Sequence, residues 1–173
     1  MKVFTPNDFA ALIGIDWADK KHDICEQPAG GQPRMLSVIS SQPEAIHAWA
    51  RELKQRYPHQ LVAVCCELQK GPLVFALNLY EHIVLYPANP ATVAKYRKAF
   101  SHSGAKDDPG DAQIQTELLS QHMDKLRPLT PESPDIRILA QLTEFRRKLV
   151  QERVNLTNRI SAILKNYYPQ VLD

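Results

Sequence analysis

The sequence predicts an α/β protein: a mixed β-sheet flanked by helices, followed by a long helix of the coiled-coil type. Three observations predict it. Short apolar segments separated by turns fill the first 40 residues, apolar segments then alternate with amphipathic ones, and leucines recur every seven residues near the carboxyl end. We expect a sheet domain over residues 8–125, a linker over 126–133 and a helical dimerisation segment over 134–173.

The first three strands are predicted from apolar segments that turns separate. Residues 11–17, ALIGIDW, form an apolar run that reaches Asp16. Residues 24–25 mark a second strand, and a Pro/Gly-rich turn at 28–33 precedes a third at 35–40. Because short turns join antiparallel neighbours, we expect these strands to form a meander.

The later strands alternate with helices. A helix begins near Pro43 and carries apolar side chains at helical spacing as far as Leu53. The segment LVAVCC at 61–66 is a strand, a helix covers about 72–80, and HIVLYP at 82–87 is the next strand. Strands connected through a helix pair in parallel, so the whole sheet is mixed.

Composition and charge fit an ordinary globular protein. The chain has 173 residues, 44% of them hydrophobic and 23% charged, and a net charge of +2. No apolar run is long enough to span a bilayer and no secretory signal pattern is present, so we expect a cytoplasmic protein. The odd number of cysteines, Cys25, Cys65 and Cys66, argues against a disulfide framework and for buried reduced thiols.

Acidic residues at the ends of two predicted strands are the first candidate functional residues. Asp16 ends the first strand, and Glu67 follows the apolar segment 61–66. A carboxylate on an apolar strand is costly unless it faces solvent, accepts hydrogen bonds or binds a metal. A solvent-facing strand end explains Asp16 alone, but open sheets bind ligands beyond the carboxyl ends of their strands, and two such acids favour a ligand site.

Asp108 and Asp111 allow two interpretations. The segment DPGD is typical of a helix start, with Asp108 at the N-cap, a proline in the first turn and an acid three residues on. The same spacing puts both carboxylates on one face of that turn, where they could join Asp16 and Glu67 around Mg²⁺ or Mn²⁺. Clustered acids that hold such cations serve phosphodiester exchange. Spacing alone does not decide between these interpretations.

Residues 89–106 interleave basic and aromatic side chains. Basic residues neutralise phosphates and aromatic rings stack on bases, which predicts contacts with nucleic acid. The candidates are Lys95, Tyr96, Arg97, Lys98, His102 and Lys106. The alternative is a solvated helix face followed by a polar loop. No nucleophile-elbow, phosphate-binding-loop, dinucleotide-binding or zinc-ligand spacing occurs in the sequence.

A long helix is predicted after Asp135. Its heptad seam, interrupted by polar positions, predicts self-association through Leu142, Leu149, Leu156 and Ile163. The alternative is a helix laid against the sheet domain by a wide apolar stripe.

Several segments resemble, in matching order, the DEDD transposases of the insertion sequence 110 family and their relatives, the Piv DNA invertases. The segments are IGIDWADKKHDI, VCCELQKGPLVFAL, VLYPANPATVAKYR, SGAKDDPGDAQIQTELL and LRPLTPES with LTNRISAILKNYYP. The resemblance runs from about residue 12 to 169, and its most specific part is SGAKDDPGDA at 103–112.

This resemblance implies an RNase H-like (RuvC-like) fold whose metal-binding tetrad is Asp16, Glu67, Asp108 and Asp111, with Mg²⁺ or Mn²⁺ as cofactor. Asp107 stands where the family usually has Ser or Thr, which makes it a rival to Asp108. Full-length members continue through a coiled coil into a domain with a catalytic serine, and use a bridge RNA to choose target and donor DNA. The implied partners are DNA, guide RNA and a second copy of the chain.

The function we expect is therefore that of a DNA transposase or recombinase domain that cannot complete strand exchange alone. A stand-alone, structure-specific nuclease of the resolvase kind is one alternative, and metal-dependent cleavage of branched DNA by this chain would indicate it. A non-catalytic nucleic-acid-binding module is the other, and binding that is undiminished in EDTA would indicate that.

Overall fold

The computed structural model describes residues 4–30, 32–100, 108–130, 133–168 and 170, and it contains a mixed five-stranded sheet. The strands are β1 (Phe9–Trp17), β2 (Lys21–Pro28), β3 (Met35–Ser40), β4 (Leu61–Cys66) and β5 (Ile83–Pro87). The helices are α1 (Pro43–Arg56), α2 (Pro72–Leu77), α3 (Pro90–Phe100), α4 (Asp108–His122) and α5 (Pro134–Tyr167).

The order of strands in the sheet is β3-β2-β1-β4-β5. β1 pairs antiparallel with β2, and β2 with β3, whereas β1 is parallel to β4 and β4 to β5. The predicted mixed sheet with flanking helices is thus confirmed. Its arrangement is consistent with the RNase H-like fold that the family resemblance implies.

Two apolar cores cover the two faces of the sheet, because successive side chains of a strand point to opposite sides. On one face, Ile13, Ile15 and Val64 pack with buried side chains of α1 and α2. On the other face, Leu12 and Cys65 pack with buried side chains of α3 and α4. The candidate acids can therefore be assigned to a face from their place in each strand.

Contacts divide the chain into two compact units, Met1–Thr130 and Pro131–Asp173. The second unit holds α5, whose start is capped by the Ser133 side chain, which accepts a hydrogen bond from the backbone nitrogen of Ile136. No residue of α5 is buried, and the four residues of the predicted seam are 49–60% exposed. A coiled coil requires a second helix, so self-association of α5 through this seam stays a prediction. Within the described residues, no helix has an apolar stretch long enough to cross a membrane.

Candidate functional site

Asp16 and Glu67 lie at the ends of neighbouring parallel strands. Ile15 on β1 is the register partner of Cys66, the last residue of β4, so Asp16 and Glu67 are the residues that follow this pair. Ile15 and Cys66 both belong to the core beneath α1 and α2. The alternation of side chains therefore assigns Asp16, and Glu67 one residue past β4, to the opposite face, which α3 and α4 cover. Both acids are half-buried.

The first turns of α4 lie against β1 at Gly14. A Cβ atom at Gly14 would lie 2.0 Å from the carbonyl oxygen of Ala112, so this approach requires glycine. Ala112 follows Asp111 in the chain and Gly14 precedes Asp16 by two residues. The start of α4 consequently brings Asp111 to the end of β1 that carries Asp16.

Two polar side chains fix α4 on the strand. The backbone nitrogen of Gly14 donates a hydrogen bond to Thr116 Oγ1 at 2.9 Å, and that of Ile15 donates to Gln115 Oε1 at 3.0 Å. Both side chains are fully buried. Buried hydrogen bonds of this kind fix the helix in rotation and translation, because any shift leaves polar groups unpaired.

Asp111 is a buried carboxylate paired with Arg97 of α3. Asp111 is 2% exposed and the Arg97 side chain 19% exposed. Arg97 Nε donates to Asp111 Oδ1 at 2.7 Å, and Nη2 contacts the same oxygen. A buried carboxylate without a partner is unfavourable, so Arg97 supplies the positive charge that pairs with Asp111 in the interior.

The donor chemistry of these acids fits a hard divalent cation, because every candidate ligand is a carboxylate. Among the residues that the structure describes, no three His, Cys, Asp or Glu side chains are grouped closely enough to hold a metal ion. Asp108 is the first residue of α4, but its side chain lies outside the described part of the chain, as does the whole of Asp107. The described part of the predicted tetrad therefore consists of Asp16, Glu67 and Asp111.

A fifth acid, Asp23, lies opposite Asp16. The two are register partners in the antiparallel pair β1–β2, and directly opposite side chains share a face of the sheet. Asp23 is buried, and its Oδ2 lies 3.3 Å from Lys21 Nζ. The sequence alone does not indicate Asp23 as a site residue, because its position opposite Asp16 depends on the register of the hairpin. The charged segment DKKHD at 19–23 contains no signal of that register.

The predicted nucleic-acid contacts that are described lie on α3. Lys95 and Lys98 are exposed, as a contact with phosphate requires. His102 and Lys106 lie outside the described residues.

Tyr96, a residue predicted to stack on a base, packs within the protein. It lies against the core beneath α3 and α4, and its ring meets that of His122 edge to face, with 5.9 Å between centroids. Burial raises the pKa of its hydroxyl. With Tyr96 against α4 and Arg97 paired to Asp111, both side chains make contacts that join α3 to α4.

The protein is thus an α/β protein with a candidate carboxylate site. Two of the acids lie at the ends of adjacent parallel strands, and a third lies on the helix that packs across them. The family model of the DEDD transposases of insertion sequence 110, described as a transposase, matches residues 13–169. The chain belongs to this family, as the resemblance of its motifs predicted.

Two curated relatives match most of this chain. "Mini-circle putative transposase for IS117" of Streptomyces coelicolor is 28% identical over 168 residues, which cover 96% of this chain and 40% of the relative. "Putative transposase y4uE" of Sinorhizobium fredii is 26% identical over 163 residues, which cover 92% of this chain and 45% of the relative. The chain thus spans less than half the length of either relative.

Proposed function

We propose that this chain is the metal-binding domain of a DNA transposase and takes part in DNA strand cleavage and exchange. The observation that supports the proposal is that Asp16 and Glu67 follow paired residues of two parallel strands, and that α4 meets β1 at Gly14 through Ala112, which is beside Asp111 in sequence. Membership of a transposase family supports DNA as the substrate.

The proposed ligands are Asp16, Glu67, Asp108 and Asp111, with Mg²⁺ or Mn²⁺ as the cation. When bound, the cation supplies Lewis-acid stabilisation of the charge on a scissile phosphate. The four carboxylates would hold and orient the cation. Without a cation they repel one another and the phosphates of the substrate, so metal and DNA binding are expected to be strongly coupled.

The exposed lysines of α3 are the proposed nucleic-acid contacts. Lys95 and Lys98, with His102 and Lys106 later in the sequence, would neutralise phosphates of DNA or of a guide RNA. In this proposal the bridge RNA selects the DNA sites, so this domain does not need to recognise the DNA base sequence. The logarithm of the binding constant falls linearly with the logarithm of the salt concentration. Replacing any one lysine that binds a phosphate should reduce the slope of that line by about one.

Self-association through α5 completes the proposal. The seam residues Leu142, Leu149, Leu156 and Ile163 are exposed on a 34-residue helix that has no buried residue. Burying such a seam against a second copy removes apolar surface from water and gives a coiled-coil dimer or a higher oligomer. The complete strand exchange would need the serine-bearing domain that the family resemblance implies for full-length members.

Calorimetric titration of Mn²⁺ tests the proposed site. The wild type should bind the ion, and Asp16→Ala and Asp108→Ala should weaken binding at least about tenfold, or 1.4 kcal/mol. The matched control is Asp124→Ala, which removes the same charge from an exposed position and should leave binding unchanged. Absence of any binding heat in the wild type, with nucleic acid present as well, would rule the proposed function out.

A further inference from the structure

The Arg97–Asp111 ion pair occupies a carboxylate that the proposed function needs for metal. Two nitrogens of Arg97 contact Asp111 Oδ1, one of them at 2.7 Å. A guanidinium cannot lose its charge in a protein, so this cation is permanently present. Arg97 therefore satisfies, in the metal-free chain, the same negative charge that a divalent cation would satisfy.

We propose that Arg97 is a tethered counter-cation that holds Asp111 in the absence of metal, competes with the divalent ion for that carboxylate, and so sets the metal affinity of the site. This inference rests on the proposed function, because it takes Asp111 to be a metal ligand. Arg97 is then a positioning residue and not a ligand, since a guanidinium offers only donors.

Burial is what gives this competition its strength. Asp111 is 2% exposed, so water does little to screen it, and leaving it ionised without a partner is unfavourable. The free energy that Arg97 contributes to the metal-free protein must be given up when the ion takes over the carboxylate. The apparent affinity for metal is lower by that amount.

The competition also links metal to substrate. Once metal holds Asp111, the Arg97 guanidinium loses its partner and is free to donate to a phosphate oxygen, which its planar, forked donor geometry suits. Arg97 lies on α3 between Lys95 and Lys98, the exposed lysines proposed to contact nucleic acid. Metal binding would thus convert an internal ion pair into a further phosphate contact on the same helix.

Calorimetric titration of Mn²⁺ into Arg97→Gln and Lys98→Gln tests the inference. Both variants lose one positive charge from adjacent positions of α3, but Lys98 is exposed and has no such pairing among the described contacts. We expect Arg97→Gln to bind Mn²⁺ at least about fivefold more tightly than wild type, the lower end of ordinary coupling between two binding events. Lys98→Gln should stay within about twofold of wild type.

Thermal unfolding with and without Mn²⁺ supplies a second reading of the same variants. Metal-free Arg97→Gln should melt below wild type, because Asp111 is left buried and unpaired. Saturating Mn²⁺ should raise its melting temperature by more than it raises that of wild type, since the ion replaces the missing charge.

If Arg97→Gln does not fold, nuclear magnetic resonance of the wild-type protein tests the inference instead. The Arg97 Nε–H signal, assigned by its loss in Arg97→Lys, should show slow hydrogen exchange without metal. It should shift and exchange faster as Mg²⁺ is added, when the bond to Asp111 opens. A signal that stays unchanged through saturation would show that the ion pair persists beside the metal, and would overturn the inference.

The outcomes separate this inference from the proposed function. If the wild type binds Mn²⁺ but Arg97→Gln binds it equally well or more weakly, competition by Arg97 is wrong while the metal site stands. If neither protein binds Mn²⁺, the proposed function fails and the competition fails with it.

Discussion

Gly14 of β1 and Thr116 of α4 share a buried hydrogen bond, in which the Gly14 backbone nitrogen donates to Thr116 Oγ1 at 2.9 Å. The Thr116 hydroxyl oxygen also lies 2.9 Å from the Cys25 carbonyl oxygen on β2 and 3.0 Å from that of Ala112, so it can donate to either. One side chain thereby joins the helix to two strands. The same contact holds the start of α4, with Asp111, at the end of β1.

Thr116→Val should lower the free energy of unfolding by about 2–3 kcal/mol, because valine has a similar shape but leaves the fully buried Gly14 nitrogen without its acceptor. Thr116→Ser is the control, since it keeps the hydroxyl and loses one methyl group, at a cost of about 1 kcal/mol. Urea denaturation measures both. Equal stability of the two variants would contradict a role for the hydroxyl.

Gly14→Ala should lower the free energy of unfolding by at least about 3 kcal/mol, because its Cβ would meet backbone and not a flexible side chain. Gly30→Ala is a useful comparison. Gly30 has φ +83°, but a Cβ there meets nothing within 4 Å, so only backbone strain of about 1–2 kcal/mol is expected. Chemical denaturation should rank Gly14→Ala as clearly the more damaging. The reverse order would mean that α4 can shift away from β1 cheaply.

The stability of the fold should decrease in mild acid, in part through His82. Its Nε2 lies 3.0 Å from the Ala50 carbonyl oxygen, and burial lowers the pKa of the ring from 6.5. Below pH 6.5 the unfolded chain therefore binds more protons than the folded one, and stability falls as pH decreases from there towards the lowered pKa.

Denaturation curves at several pH values between 7.5 and 5 measure this effect. His82→Gln should show a weaker loss of stability on acidification than wild type. A residual loss is expected, because burial lowers the pKa of His22 in the same direction. If His82→Gln and wild type lose stability in parallel, His82 makes no contribution.

Leu149→Glu together with Leu156→Glu should abolish self-association of the chain, because each carboxylate would have to be buried in the predicted seam. Light scattering gives the mass. The matched control combines Gln151→Glu with Asn158→Glu, which adds the same charge at exposed positions of α5 off the seam. An association that survives in the seam variant would place the interface elsewhere on the molecule.

Much of the fold could be predicted from local pattern. The apolar run ALIGIDW became part of β1, although the strand begins earlier, at Phe9. The helix expected over residues 72–80 is shorter, Pro72–Leu77, because the chain turns at Asn78 before β5. Turn residues and apolar periodicity are properties of neighbouring residues. They therefore predict which segments are helices or strands, but they locate the ends of these segments only approximately.

The candidate site was only partly predictable. Asp16 and Glu67 could be selected because strand-end acids stand out in an apolar sequence. The face they share with Asp111 depends on the parallel register of β1 and β4 and on where α4 crosses the sheet. Nothing in the spacing of Arg97 and Asp111, on two different helices, indicates that they pair.

By itself, the sequence determined which segments are strands and helices, which acids end the strands, and where apolar residues recur along α5. These follow from periodicity and residue type, which act over a few residues. Only the tertiary structure decided that Asp23 lies opposite Asp16, that glycine is required where Ala112 meets β1, and that Arg97 neutralises Asp111. Those relationships join residues distant in the chain, and strand register and helix packing, which no local pattern encodes, bring them together.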